Sequence, residues 1–164
     1  MALLLADLGD GMPEAGKLLR RALAGYEVLL GPENLETLRA ANNLAVFLDN
    51  SGEKDEALLL YRRASAGRRR QLGNQHPYTL DSLYNLASFL WQAGQAAEAE
   101  EIFREVRENC LRVFGPRHHG TLDCMERLAE VLEARGALEE AQDVCQELLV
   151  SREEVNGPHH LYVR

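Results

Sequence analysis

Between Pro77 and Gln92 the apolar residues fall at Leu80, Leu83, Leu86, Ala87 and Leu90. That is helical spacing. Gly94 interrupts it, and from Ala96 to Phe114 a second stripe runs through Ala99, Ile102, Phe103, Val106 and Leu111. Pro77 suits the first turn of a helix, where its missing N–H removes nothing. Gly94 suits the sharp turn between two antiparallel helices. The stretch therefore reads as an αα-hairpin. A lone hairpin cannot bury its apolar faces, whereas stacked hairpins can.

The same pattern starts at Gly31, Gly73, Gly115 and Gly157, each 42 residues after the last (73 − 31 = 42). A fixed period in this range marks a repeat architecture. One array is expected over 1–164: a partial repeat at 1–30, full repeats at 31–72, 73–114 and 115–156, and the start of a further one at 157–164. The partial repeat aligns Ala2 with Ala45 and places a turn at 9–13. Helices are predicted over 33–50, 54–71, 77–93, 96–113, 118–135 and 138–155.

Small residues recur at fixed positions. Ala45, Ala87 and Ala129 share one place in the first helices, and Ala57, Ala99 and Ala141 share one in the second. Alanine lets two helix backbones approach to the usual spacing of about 8–10 Å. A larger slot follows at Tyr61, Phe103 and Cys145, then another at Ala64, Val106 and Leu148. Cys145 is accordingly expected to be buried.

Asn43-Leu44-Ala45 and Asn85-Leu86-Ala87 recur in the first helices. Gly52, Gly94 and Gly136 mark the turns, followed by Glu56-Ala57, Glu98-Ala99 and Glu140-Ala141. Leu72-Gly73, His76-Pro77 and Thr79-Leu80 join successive copies, and the Thr-Leu pair returns at Thr37-Leu38 and Thr121-Leu122. This grammar resembles the tetratricopeptide repeat in the long-linker form of the kinesin light chains. The resemblance implies an all-α fold, a right-handed superhelical α-solenoid of antiparallel helix pairs. It also implies that the first helices line an inner groove. The groove positions are then Arg39, Asn42, Asn43, Val46, Asp49 and Asn50 in the first full copy. In the second they are Asp81, Tyr84, Asn85, Ser88, Trp91 and Gln92, and in the third Asp123, Glu126, Arg127, Glu130 and Glu133. Arg127 stands where the other copies carry asparagine.

Composition narrows the function. The chain is 46 % apolar, 6 % aromatic and carries a net charge of −8, which speaks against a general nucleic-acid binder. No apolar run approaches the ~18–20 residues needed to cross a bilayer. The opening MALLLADLG has no basic leader and is not expected to be a signal peptide. Three unpaired cysteines suit a cytoplasmic location. Arg62, Arg63, Arg68, Arg69 and Arg70 read as a solvated outer face. His118-His119 and His159-His160 recur with the repeat and have no ligand spacing for zinc. Phosphate loops, nucleophile elbows and paired carboxylates in an apolar pocket are not evident. The chain is read as a non-enzyme without cofactors.

The leading expectation is a scaffold or adaptor that holds an extended peptide of another protein in the concave groove. The resemblance implies that Asn43 and Asn85 hold the peptide backbone, since an amide side chain donates and accepts at once. Three extended residues at ~3.3 Å each span about one helix spacing, so both can grip one strand. The surplus of acid in the third copy predicts basic residues there, with an apolar or aromatic residue near Trp91. The alternative is a structural spacer or self-association module within a larger signalling protein. Neither end shows a polar capping element, so the segment is expected to come from a longer array and to associate through its ends.

Overall fold

The computed structural model describes residues 8–156, with side chains from 14 to 153. The start of a further repeat at 157–164, the alignment of Ala2 and the pair His159-His160 lie outside the described residues. Seven helices follow one another: α1 (Leu8–Leu30), α2 (Leu35–Asn50), α3 (Lys54–Leu72), α4 (Pro77–Gln92), α5 (Ala96–Phe114), α6 (His119–Ala134) and α7 (Leu138–Asn156). Strands are absent among the described residues. The ends of α2 to α7 fall within two residues of the sequence expectation. The N-terminal part differs. Helix α1 runs unbroken through 9–13, where the repeat alignment places a turn.

The inter-repeat signature is a capping device. Asn34, His76 and His118 stand at the same repeat position and cap α2, α4 and α6. Asn34 Oδ1 accepts from the Glu36 N–H at 2.9 Å, His76 Nδ1 from Tyr78 at 3.2 Å, and His118 Nδ1 from Gly120 at 3.1 Å. Each bond satisfies a helix-end donor that has no partner within the helix. The Thr-Leu pair has its own task. Thr37 and Thr121 each donate a hydroxyl hydrogen bond at 2.8 Å to the carbonyl of the glycine six residues back. Gly94 and Gly115 close α4 and α5 at φ 78° and 82°. A Cβ at either would meet nothing within 4 Å. Left-handed backbone, not crowding, therefore selects glycine there.

The helices gather into two units, 1–71 and 72–164. In the first, α1 packs on α2. Gly16 allows the close approach, because a Cβ there would lie 2.8 Å from Phe47 Cε1. Gly67 of α3 does the same against Leu38 of α2, at 2.6 Å. Arg20 of α1 bonds both Glu53 and Glu56 at 2.7 Å. The arginine run of α3 is not uniformly a solvated face. Arg62 and Arg70 are exposed, but Arg68 is only 4 % exposed. Helical periodicity sets it on the stripe of Tyr61, Ala64 and Ser65, all buried.

In the second unit α4 packs on α5, α5 on α6 and α6 on α7, while α4 also touches α6. Ala87 and Ala99 are fully buried at the helix crossings, and Ala129 and Ala141 nearly so. Phe103 fills the large slot of α5. Its ring and that of Tyr84 meet edge to face with centroids 5.8 Å apart, and Cys124 Sγ of α6 donates to its carbonyl at 3.3 Å. Burying such a side chain contributes about 1.5–3 kcal/mol. The equivalent Cys145 of α7 is exposed, against expectation. The slot of α5 is covered by α6, the helix that follows it. Among the described residues no helix follows α7.

Candidate functional site

On α4, Asp81, Tyr84, Asn85, Ser88 and Trp91 recur every three or four residues and so share one face. Asp81 is exposed and the other four are half-buried. On α6, Asp123, Glu126, Arg127, Glu130 and Glu133 are exposed. Where α4 and α5 meet the start of α6, a cavity of about 290 Å³ opens. Leu80, Val106, Cys110 and Phe114 supply its apolar walls, with His118 and Asp123 contributed by the opening of α6. Asp81, Tyr84 and Asn85 complete it from α4. Thus Asp81, Tyr84, Asn85 and Asp123 come together at one cavity. Ser88, Trp91, Glu126, Arg127 and Glu130 do not line it. Trp91 lies two helical turns beyond Tyr84, about 10 Å along the axis.

Sequence reasoning missed Cys110, Phe114 and His118 as cavity-lining residues. The 42-residue recurrence of His76 and His118 marks the cap but hides a second use. The His118 ring stacks on Phe114 with centroids 4.4 Å apart, and His119 lies 4.3 Å from His118 at 49°. His118 is thereby engaged in both capping and stacking. No group of three or more His, Cys, Asp or Glu is placed to hold a metal ion among the described residues.

The electrostatics of α6 differ from the expected acidic stripe. Glu130 bonds Arg127 at 2.7 Å, and Glu126 bonds Arg152 of α7 at 3.0 Å. Arg127 is held above its ordinary pKa first by Glu130 and next by Tyr84. Two of the four carboxylates thus carry their own cations. Burial pushes the Cys110 thiol up to about 11. It pushes Cys124 higher still. Both are neutral, so neither is an activated nucleophile. The Ser88 hydroxyl oxygen is buried without a hydrogen-bond partner.

In the first unit, Asn43 and Val46 are exposed on α2. Arg39 is also exposed, with Nε donating to Glu36 at 2.9 Å. Asp49 pairs with Lys54. Asn42 departs from the expected groove set: it is 4 % exposed, and its Oδ1 accepts no hydrogen bond. It lies four residues after Leu38 and three before Ala45, on the buried stripe. Tyr84 and Glu126 occupy the same repeat position, but their longer side chains reach outward.

A model of the tetratricopeptide repeat family matches residues 1–70, 51–109 and 78–154. None of the curated proteins matches the chain. Among solved structures, a singly substituted form of nearly identical TPR-like repeats, described as those of a kinesin light chain from Podosopora anserina, is 26 % identical with a TM-score of 0.76. The match covers 88 % of this chain and 68 % of that one. The same repeats without that change give 0.74 at 26 % identity, with the same coverage of each chain. BtubC (BKLC) from P. vanneervenii shares the fold at a TM-score of 0.80 and 21 % identity, over 93 % of this chain and 60 % of that one. Among the described residues no helix is long and apolar enough to cross a membrane. From its repeat grammar, its seven helices and these matches, the chain belongs to the tetratricopeptide repeat family, in the kinesin light chain form of that repeat.

Proposed function

We propose that this chain holds an extended segment of a partner protein along the face shared by α4 and α6. Tetratricopeptide arrays of this type are protein-interaction scaffolds. The observation that supports a peptide ligand is Asn85. It is half-buried at the cavity wall beside Tyr84. There its amide can donate to and accept from a passing backbone, and the cavity beside it can receive a side chain. Trp91, two turns further along α4, supplies an amphipathic anchor of the kind that dominates binding energy. Its half-buried ring suits an apolar or aromatic ligand residue. Cys110, Cys124 and Cys145 are all free, which supports a reducing compartment such as the cytoplasm.

Selection from a display library of random 12-residue peptides tests this reading. Retained peptides should share a short motif and bind the Asn85→Ala variant roughly 3–10-fold more weakly, the worth of one or two net hydrogen bonds. If no peptide is retained, or if Asn85→Ala binds as the unmodified chain does, the groove reading fails. A second reading, a self-association module, is favoured by the outer side of α7. Cys145, Leu149 and Val150 are exposed there together. Sedimentation of the chain at increasing concentration decides it: a constant monomer mass removes that reading.

A further inference from the structure

We propose that the cavity between α4, α5 and the start of α6 receives the side chain of one arginine from the bound segment. This rests on the peptide-groove reading and names the residue that the groove selects.

At about 290 Å³ the cavity lies at the lower edge of the roughly 300–1,000 Å³ typical of small-molecule sites. It suits one long side chain better than a free metabolite. Its depth is apolar, formed by Leu80, Val106, Cys110 and Phe114. The raised pKa of Cys110 keeps that wall uncharged. Its polar groups include two carboxylates, Asp81 and Asp123, and neither lysine nor arginine lines it. A side chain with an apolar stem and a cationic head matches both parts.

An acidic occupant is disfavoured twice. It would face both carboxylates. The α6 N-terminus, the usual anion-binding element, is also already engaged. The Gly120 N–H donates to His118 Nδ1 at 3.1 Å, and the Thr121 N–H to the His118 carbonyl at 2.9 Å. An aromatic occupant would strip water from the exposed Asp123 and return no hydrogen bond, which is costly for a charged group. Lysine satisfies the charge but presents only a point. The planar guanidinium can pair with a carboxylate while lying against the rings of Phe114, Tyr84 and His118. The chemistry thus favours arginine over lysine, and lysine over any neutral side chain.

The test uses the whole chain and blocked single residues, so the peptide backbone contributes little. The backbone amide spectrum is recorded as N-acetyl-arginine-N-methylamide is added, and then with the citrulline, lysine, glutamate and tryptophan analogues. Arginine should give saturable shifts centred on Phe114, Gly120 and Asp123, with a Kd in the low millimolar range. Citrulline, with the same shape and no charge, should give none that saturate. Asp123→Asn should weaken the arginine response by roughly tenfold, the cost of losing a charge-assisted pair. Its own undisturbed spectrum would verify the fold, and added salt should weaken the arginine response of the unmodified chain. Equal shifts from citrulline, strongest shifts from glutamate or tryptophan, or an unchanged titration in Asp123→Asn would overturn the proposal. Such a result leaves the groove reading intact, because Asn85→Ala against library peptides judges that separately.

Discussion

The His118 imidazole lies nearly parallel to the Phe114 ring, 19° from coplanar, while its Nδ1 caps α6. One side chain therefore ends the loop, starts a helix and walls the cavity. His118→Ala removes both cap and stack and should cost about 1–2 kcal/mol. His118→Asn keeps a capping acceptor, as Asn34 does at α2, and should recover more than half of that. Urea unfolding measures both. Equal losses in the two variants would mean that the cap contributes nothing.

Ala87 is fully buried where α4 meets its neighbours. Ala87→Leu overpacks that crossing and should cost about 1–3 kcal/mol. Ala97→Leu, at an exposed position of α5, should stay within about 0.5 kcal/mol. A midpoint for Ala87→Leu equal to that of the unmodified chain would show that the crossing has slack.

The thiols should separate by reactivity. Cys145 is exposed, whereas Cys110 and Cys124 are buried with raised pKa values. At pH 8 a disulfide reagent should modify one thiol quickly and the other two only on unfolding. The same shifts have a thermodynamic sign. The folded chain keeps protons that the unfolded chain releases, so this stability is complete below the ordinary thiol value, about 8.5. For Cys110 it is lost as pH rises through about 11. The unfolding midpoint should fall between pH 8 and pH 10.5, and less steeply in Cys110→Val.

Gly94→Ala should be destabilising without any clash, by about 1–2 kcal/mol for a left-handed alanine. Gly94→Asn should lose less, because asparagine tolerates that region. Thermal unfolding ranks the three. An order in which alanine outperforms asparagine would show that the turn relaxes to another conformation.

The helices were legible because each carries its own periodicity and punctuation, such as Pro77, Gly94 and the Ala87 and Ala99 positions. Contacts between helices were less so. The sequence of α6 alone does not show that Glu126 pairs with Arg152, which comes from the next helix, 26 residues away. Asn42 was misplaced because repeat position sets the direction of a side chain, not its length. Cys145 was misplaced because a core slot is only a core when the following helix covers it. The cavity draws on three helices, and no single stretch announces it. The turn expected at 9–13 came from repeat alignment alone, and α1 continues through it.

The left-handed glycines recur at Gly31, Gly52, Gly73, Gly94, Gly115 and Gly136, one every 21 residues (52 − 31 = 21). That cadence governs how such a chain can change in length. Adding or removing one residue inside a helix rotates all that follows by about 100° about its axis, since a turn takes 3.6 residues. Alanine contacts, caps and cavity walls downstream would then face the wrong way. Single-residue edits are confined to the exposed turns, while a duplicated or deleted hairpin leaves every remaining face in phase. The molecule is thus editable in modules, and its stack of hairpins can be lengthened or shortened without being redesigned.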